Sequence, residues 1–371
     1  MILETYQLED ASSIISPALI YYQEIIEENI DKMIRIAGGT HRLWPHVKTH
    51  KSIDMIHLLI ERGINRFKCA TMAEGEMLGL AGAKQVIVAY PLIGPNIKRF
   101  IKLMDTFPNT EFFAIGDDEG QIKRLSASAL EVDVSVQFLL DINCGMNRTG
   151  VAGTSAGRLY RVAAHLPAIV VRGMHVYDGH RHETAMNERR KSADDDVLEA
   201  FQLRDTLQSE GIDCSIMVLG GTPSFPCHAE NEQAFLSPGT CMIHDAGHAA
   251  SYMDLPFEIG AMVLTRVVSH PAPGVFTVDL GTKGVAADPA IPRAVIIGYE
   301  KAQTVLQSEE HWVLRMPEGR EDDRPAIGQE LYAAPWHICP TSALYPNLLV
   351  ARNHRVETEW PVTARNRKIT I

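Results

Sequence analysis

Short apolar runs alternate with amphipathic segments of helical length from about residue 44 to residue 244. This alternation is typical of βα units, in which buried strands form a parallel sheet and helices cover it. Eight runs predict strands: WPHVK, RFKCAT, QVIVAY, EFFAI, SVQFLLDI, IVVRGMHVY, SIMVLGG and FLSPGTCMI. Eight parallel units predict a closed (β/α)8 TIM barrel, whose functional residues belong at the carboxyl ends of the strands and in the following loops.

The pattern changes near residue 256. Strand-like runs punctuated by Pro and Gly then follow one another without amphipathic helices between them: AMVLTRVVSH, GVFTVDLG and AVIIGYE. Such a succession predicts a separate all-β domain. The expected organisation is an α/β fold with a barrel over residues 16–250 and a β-domain over residues 251–371, and residues 1–15 are compatible with either domain.

Charge, hydropathy and cysteine spacing narrow the classes of binding partner and the cellular setting expected for this protein. The 371 residues carry a formal net charge of −11, and no Lys/Arg run could follow a phosphate backbone, which argues against nucleic acid and anionic membranes. No stretch approaches the roughly 18 apolar residues of a membrane span, and the N-terminal segment lacks the features of a signal peptide. The six cysteines show no framework spacing, so free thiols in a reducing cytoplasm are expected.

Lys48 is the first candidate for chemistry. It lies in PHVKTHK, at the end of a predicted strand, with Trp44, Pro45 and Val47 around it. Partial burial there would lower the pKa of its amine and leave it able to form an imine. A surface lysine is the alternative for a single residue of this type. Other motifs decide between the two.

Four further segments occur in a fixed order with PHVKTHK: CATMAE, DINCGMNRTG, HVYDGH, and LGGTPSF followed by SPGTC. Over a barrel and a β-domain, this series resembles the fold-type III pyridoxal phosphate (PLP) enzymes related to alanine racemase. The match is closer to the branch of D-threonine aldolase and D-serine dehydratase, and it extends over nearly the whole chain. Each motif alone would be weak, and their common order makes the resemblance specific.

The resemblance implies roles for individual residues. Lys48 would form the Schiff base with PLP, Arg148 would reach the phenolic oxygen, and Tyr177 would lie near the pyridine nitrogen. The phosphate group would be bound by two glycine-rich turns, since glycine lets backbone N–H groups approach an anion: Gly220, Gly221, Thr222, Gly239 and Thr240. Tight turns without a ligand are the alternative interpretation of GGTP and SPGT.

The segment PWHICP predicts a divalent metal site. In an extended strand, residues two apart face the same side, so His337 and Cys339 could bind one ion. Nitrogen and sulfur ligands favour zinc over manganese or magnesium. A buried His beside a free Cys is the alternative, but D-serine dehydratases of the resembled branch carry such a pair. D-threonine aldolases have a His and a carboxylate there, so Cys339 leaves the reaction open.

Two other histidine pairs are read as loop residues near the barrel mouth: His180 with His182, and His244 with His248. Asp178 and Asp245 are candidate acceptors that would orient these imidazoles.

The resemblance implies a lyase that acts on β-hydroxy-D-amino acids, with D-threonine aldolase-like cleavage to glycine and an aldehyde as the leading hypothesis. The first alternative is a D-serine or D-3-hydroxyaspartate dehydratase, which releases a 2-oxo acid and ammonia. An amino acid racemase of the alanine racemase type and a non-catalytic PLP carrier are further alternatives. A head-to-tail homodimer is also implied, because in related fold-type III enzymes the β-domain packs on the partner's barrel.

Overall fold

The computed structural model describes residues 3–371 of the protein. The strands are β1 Ala18–Tyr22, β2 Arg66–Cys69, β3 Gln85–Val88, β4 Glu111–Gly116, β5 Val136–Ile142, β6 Ile169–Val176, β7 Ile216–Leu219, β8 Ala234–Leu236, β9 Ala261–Ala272, β10 Val275–Val278, β11 Ala294–Ile296, β12 Gln303–Gln307, β13 Trp312–Arg315, β14 Glu330–Pro335, β15 Asn347–Arg352 and β16 Arg355–Pro361. The α-helices are α1 Leu3–Tyr6, α2 Gln23–Ala37, α3 Ile53–Glu61, α4 Met72–Leu80, α5 Pro95–Thr106, α6 Glu119–Leu130, α7 Thr154–Ala164, α8 Met186–Ser209, α9 Phe225–His228, α10 Ala246–Ser251 and α11 Ile338–Ser342.

One compact unit, here called the barrel unit, comprises Met33–Gly239 with Thr363–Ile371. Its strands β2 to β8 pair in sequence order, and every pair is parallel. A helix lies between each pair of successive strands. Parallel neighbours need such crossover connections, and the sequence pattern therefore translates directly into this sheet.

The first predicted strand, WPHVK, closes the circle of the barrel. The N–H groups of Trp44 and His46 donate to the carbonyls of Leu236 and Pro238, and the carbonyl of Pro45 accepts from the N–H of Lys68. The segment thus bridges β8 on one side and β2 on the other. It forms isolated bridges because Pro45 has no N–H to donate and interrupts the ladder.

Side chains fill the interior of the barrel. A buried cluster combines aromatic and aliphatic residues of several strands and of the closing segment: Trp44, Ile87, Phe113, Ile115, Leu139 and Val218. The rings of Trp44 and Phe113 meet edge to face with centroids 5.5 Å apart. Gly173 in β6 pairs with Ile216, and a Cβ at this glycine would lie 1.8 Å from the Ile216 carbonyl oxygen. This close approach of two strands requires glycine.

The other compact unit, here called the β unit, comprises the described residues 3–32 with Thr240–Val362. Its sheet has the order β12-β13-β10-β9-β1-β15-β16, and β14 pairs with both β9 and β11. All of these pairs are antiparallel except β1 with β15. An α/β barrel with a separate, mostly stranded unit is therefore confirmed.

The division between the units differs from the predicted ranges 16–250 and 251–371. Strand β1 forms its backbone hydrogen bonds with β9 and β15, so it is a central strand of the β unit. The predicted eighth strand, FLSPGTCMI, ends as a strand at Leu236, and the chain enters the β unit at Thr240. A five-residue apolar strand carries no local signal that tells which sheet it joins.

None of the helices between residues 3 and 371 combines the length and apolar character needed to cross a membrane.

Candidate active site

A cavity of about 540 Å³ lies at the carboxyl ends of the barrel strands. Its polar lining comes from strand ends and the loops that follow them: His46, Lys48, Lys68, Arg148, His175 and Tyr177. The fold thereby brings Lys48, Arg148 and Tyr177 together from distant parts of the sequence. A second cavity, of about 410 Å³ within the β unit, is lined by none of the predicted site residues.

Lys48 lies in a single turn of 3-10 helix, Val47–Thr49, directly after the closing segment of the barrel. The backbone N–H of Lys48 donates to Nδ1 of His46 at 3.2 Å, and Val47 is fully buried, which anchors the turn. The Lys48 side chain is half-buried. Within residues 3–371 no carboxylate pairs with its amine, whereas the neighbouring Lys51 forms an ion pair with buried Glu74.

Tyr177 follows β6 and presents its ring to two cations. The Arg148 guanidinium carbon lies 4.9 Å from the ring centroid, and Nζ of Lys68 lies 5.3 Å from it. An aromatic face attracts cations at such distances. The contact places Arg148, from the GMNRTG loop, beside the tyrosine that the sequence also singled out.

His175 is a buried cavity residue that the sequence analysis did not select. Its Nδ1 lies 2.8 Å from Oδ1 of Asp141 on the adjacent strand β5, and its Nε2 is buried without a partner among the described residues. Burial lowers the pKa of His175, and the contact with Asp141 only partly offsets this. Asp141 and His175 interrupt the apolar runs SVQFLLDI and IVVRGMHVY, and that interruption was the available signal.

Lys68 is the second missed residue, although it interrupts the apolar run RFKCAT in the same way. It lies in β2 with only 3% of its surface exposed. Burial, together with the charges of Lys48 and Arg148, lowers the pKa of Lys68 to about 7, and the nearby carboxylates of Asp178 and Asp141 offset this only in part. Among the described residues no ion pair reaches its amine. The cavity therefore holds two lysines and one arginine, none of which forms an ion pair with a carboxylate of the described residues.

The low pKa of Lys68 predicts a pH dependence of stability. Between about pH 7 and 10.5 the unfolded chain binds more protons at this lysine than the folded chain, so raising the pH through this window favours folding. Lys68→Met should therefore be more stable than the parent near pH 6, by roughly 2–4 kcal/mol, and lose this advantage towards pH 10. Urea unfolding across this range measures it, with the exposed Lys98→Met as matched control. A constant difference between parent and Lys68→Met would contradict the assignment.

The two predicted phosphate-binding turns hold their shape through their own polar groups. The N–H of Gly221 donates to Oγ of Ser224 at 3.1 Å, and the N–H of Gly239 donates to Oγ1 of Thr222 at 3.2 Å. Gly220 has a φ of +73°, which favours glycine. A Cβ at Gly221 would lie 3.1 Å from the Tyr177 ring, so a glycine lets the turn pack against this tyrosine.

Asp178 is a buried residue whose carboxylate contacts side chains of the segment that follows the first glycine-rich turn. Its Oδ1 accepts from the Ser224 hydroxyl at 2.7 Å, and its Oδ2 lies 2.8 Å from Nε2 of His228. Burial would raise the pKa of Asp178, but these hydrogen bonds and the nearby His228 lower it. Asp178 was expected to orient His180 or His182, and this was wrong. Because Phe225–His228 is a helix that follows the glycine turn, His228 reaches the carboxylate instead.

The segment PWHICP forms a different local structure from the predicted strand. Strand β14 ends at Pro335, His337 precedes α11, and Cys339 lies in the first turn of that helix. The common strand face expected for the pair is therefore wrong, but the two side chains still meet. Burial would lower the pKa of His337, yet its hydrogen bond with Cys339 and the nearby Asp288 raise it to about 9. Nδ1 of His337 lies 2.5 Å from Oδ2 of Asp288.

Asp245 connects α10 to this pair. Its carboxylate is fully buried, accepts from the N–H of Ile338 at 3.0 Å, and lies 2.7 Å from Nδ1 of His248. The expectation that Asp245 orients an imidazole is confirmed for His248. Thr240, predicted to bind phosphate, has its hydroxyl 3.4 Å from the Cys339 sulfur. Within the β unit it is therefore a neighbour of the proposed metal ligand.

The residues of the barrel cavity fit PLP. An amine is available for its aldehyde, cationic side chains for its anionic oxygens, and the buried Nε2 of His175 lacks a partner that the described residues could supply. His337 and Cys339 fit a zinc ion by their nitrogen and sulfur donors. Among the described residues, His337 and Cys339 do not belong to a group of three His, Cys, Asp or Glu side chains whose ligand atoms all lie within 4.8 Å of one another, and Asp288 contacts Nδ1 of His337.

A family model described as "Alanine racemase, N-terminal domain" matches residues 23–246, more than half of the chain. The chain belongs to this family. A second model, described as "Putative serine dehydratase domain", matches residues 260–351. The two matches follow the same order as the barrel and the β unit, and they agree with the resemblance on which the sequence analysis rested.

Relatives of known activity resemble the chain over nearly its full length. A 3-hydroxy-D-aspartate aldolase of Paracoccus denitrificans (strain Pd 1222) is 28% identical, over 96% of this chain and 94% of the relative. A D-threo-3-hydroxyaspartate dehydratase of Delftia sp. (strain HT23) is 21% identical, over 89% and 92%. The crystal structure of D-threonine aldolase from Filomicrobium marinum superposes with a TM-score of 0.88 at 26% identity, covering 95% of this chain and 96% of that one.

Proposed function

We propose that this protein is a PLP- and divalent metal-dependent lyase that cleaves β-hydroxy-D-amino acids to glycine and an aldehyde. The observation that carries the proposal is the barrel cavity, in which Lys48, Arg148 and Tyr177 meet. Relatives named for aldolase activity on 3-hydroxy-D-aspartate and D-threonine support the substrate class.

Individual residues have a proposed part in holding the cofactor. Lys48 provides the amine that carries the cofactor, and Arg148 binds its phenolic oxygen. Gly220, Gly221, Thr222, Gly239 and Thr240 are proposed to contact its phosphate. When bound, PLP supplies a conjugated ring that accepts electron density from the α-carbon of the substrate. Tyr177 offers a neutral phenol to the ring nitrogen, so the ring is a weaker electron acceptor than one paired with a carboxylate.

Because of this weaker acceptor, chemistry at the substrate β-carbon needs additional help. His337 and Cys339 are proposed to hold a divalent ion, zinc in the first instance, whose role is to lower the pKa of the substrate β-hydroxyl. Asp288 would orient His337 through Nδ1 and leave Nε2 for the ion. The hydroxyl proton would then pass to the solvent, a carbonyl would form at the former β-carbon as the Cα–Cβ bond breaks with its electron pair remaining at the α-carbon, and the α-carbon would take up a proton from the solvent to give glycine.

Dehydration is the second candidate, and Cys339 favours it. The His and Cys pair is the set that the sequence analysis associated with D-serine dehydratases, and a dehydratase of 3-hydroxyaspartate is among the relatives. In this reaction the α-proton and the β-hydroxyl leave, and hydrolysis of the resulting enamine gives a 2-oxo acid and ammonia.

Product analysis on a panel of D-amino acids tests the proposal. The protein loaded with PLP and zinc should release glycine from D-threonine and from 3-hydroxy-D-aspartate, and L-threonine is the stereochemical control. Release of a 2-oxo acid and ammonia without glycine would identify a dehydratase. Conversion of D-alanine to L-alanine would identify a racemase, and no turnover of any substrate by fully loaded protein would favour a PLP carrier.

We also propose a head-to-tail homodimer and a cytoplasmic location. The dimer rests on the family resemblance, and the location is supported by six free thiols.

A further inference from the structure

Three side chains from separate elements of the barrel unit meet close to the backbone of Tyr177. Cys144 lies in the loop after β5, His180 lies in the loop after β6, and Asp196 lies in α8. One potential ligand atom of each lies within 4.8 Å of the other two. We propose that this cluster is a second metal site, selective for zinc and separate from His337 and Cys339.

The spacing suits a tetrahedral ion. Nε2 of His180 lies 3.4 Å from Oδ2 of Asp196. Ligand atoms held at about 2.1 Å from a tetrahedral centre are separated by roughly 3.4 Å, as the geometry of zinc sites requires. Gly145 makes the approach of Cys144 possible, because a Cβ there would lie 2.9 Å from Nε2 of His180. Its φ of +123° also favours glycine.

The described residues leave the polar groups of this cluster incompletely satisfied. Nδ1 of His180 is buried without a hydrogen-bond partner. The Cys144 thiol donates a hydrogen bond of 3.4 Å to the Tyr177 carbonyl, and a thiol is a weak donor. A cation bound by Nε2 of His180 and by the Cys144 sulfur would replace the 3.4 Å contact of Nε2 with Asp196 and the hydrogen bond of the thiol with direct ligand bonds, and it would leave Nδ1 of His180 unchanged.

Arg181 is compatible with an ion at this position. Its Nε donates to Oδ2 of Asp196 at 2.6 Å, and its Nη2 donates to Oδ1. Each carboxylate oxygen has a second lone pair, and carboxylates that bind metals are commonly held by a further hydrogen bond. The Asp196 side chain is only 5% exposed, so Arg181 fixes its direction in the cluster.

The donor set selects the metal. One thiol, one imidazole and one carboxylate favour zinc over magnesium or calcium, which prefer oxygen ligands. Burial and the charges of Asp178 and Asp196 raise the pKa of Cys144 to about 12, so the group is a thiol when no ion is bound. Binding then forms one zinc–sulfur bond, breaks the S–H bond and releases one proton to the solvent.

A bound ion would connect the loop that carries Arg148 to the loop that begins with Tyr177. It would also tie both loops to α8. None of its three ligands is among the residues that line the cavity with Lys48, and we therefore assign the ion a positioning role: it stabilises the two loops and leaves bond making to other groups.

Cobalt substitution tests the site independently of any catalysis. In the Cys339→Ser protein loaded with Co²⁺, Cys144 is the remaining proposed thiolate ligand, and a sulfur-to-cobalt charge-transfer band is expected. The band should vanish in Cys144→Ser/Cys339→Ser. The matched control is His182→Ala in the Cys339→Ser background, because His182 is an exposed histidine two residues from His180 and should leave the band unchanged.

Metal content and stability provide the second measurement. Cys144→Ser should hold one zinc ion per chain fewer than its parent and should melt at a lower temperature in zinc-loaded form. If Cys144→Ser does not fold, the spectrum of Cys339→Ser alone still decides. No charge-transfer band in Cys339→Ser would overturn the site and leave the cluster as the Arg181–Asp196 ion pair beside Cys144 and His180. Failure of the proposed lyase activity would change neither measurement.

Discussion

Lys48→Ala is expected to abolish turnover of β-hydroxy-D-amino acids, with kcat falling by at least on the order of 10³-fold, because the amine that carries the cofactor is lost. The structure supports this choice among three neighbouring lysines. Lys48 is half-buried at the cavity and has no ion pair within residues 3–371, whereas Lys51 forms an ion pair with Glu74 and Lys68 is almost fully buried in β2. Steady-state kinetics on the PLP-loaded protein measures the loss.

Borohydride reduction distinguishes loss of the carrier lysine from a general loss of structure. Reduction of the PLP-loaded parent followed by peptide mapping should place the pyridoxyl group on Lys48. Lys68→Met is the matched control, since it removes a second cavity amine and should leave the label at Lys48. A label on Lys51 or Lys68 in the parent would refute the assignment.

Removal of the ion proposed at His337 and Cys339 is expected to abolish activity and to leave PLP binding intact. Two protein ligands leave the ion open for a substrate oxygen, as in catalytic sites, whereas structural zinc sites are normally closed by four. Cys339→Ser should weaken metal affinity by more than about 100-fold, because a serine hydroxyl is a harder and far less acidic ligand than a thiol. Competition with a chelator of known affinity measures this.

Asp288→Asn is the graded comparison for this prediction. Asp288 contacts His337 only through Nδ1, so the variant should lose about 10- to 100-fold in metal affinity, which is typical when a hydrogen-bond partner of a ligating histidine is removed. PLP absorbance should stay unchanged in both variants. If chelated protein keeps full activity on β-hydroxy-D-amino acids, His337 and Cys339 are packed residues of the β unit and not metal ligands.

Mixing inactive subunits tests whether the proposed homodimer shares its sites. If the β unit of one chain serves the barrel of its partner, heterodimers of Lys48→Ala and His337→Ala should recover part of the parental activity. Absence of recovery in verified heterodimers would place both groups in one chain.

The sequence by itself determined the barrel, because the local pattern of apolar and polar residues predicts each strand and each helix of a βα unit. Seven of the eight predicted runs contain strands of one parallel sheet, and the remaining run, WPHVK, bridges the first and last strands of that sheet. Motifs at strand ends carried Lys48, Arg148 and Tyr177 to one cavity for the same reason: in a parallel barrel the carboxyl ends of all strands meet on one side.

Local pattern was insufficient where a short segment had two possible partners. Strand β1 is apolar on both faces and joins the β unit only because β9 and β15 pair with it. PWHICP alternates like a strand but turns into α11 after Pro335, and the His337–Cys339 contact then depends on a helix turn. Hydrogen-bond partners that are distant in sequence decided both cases.

The electrostatic surroundings were also decided only by the tertiary structure. In the sequence, Lys68, His175 and Asp141 are single polar residues within apolar strands. The pKa values of Lys68 and His175 depend on their burial and on the charged groups that the fold places near them. The carboxylate of Asp178 contacts the imidazole of His228 and not that of His180, and His180 instead lies close to Cys144 and Asp196. A side chain's partner is set by the packing of loops from different strands, and such packing is a long-range property that no window of sequence contains.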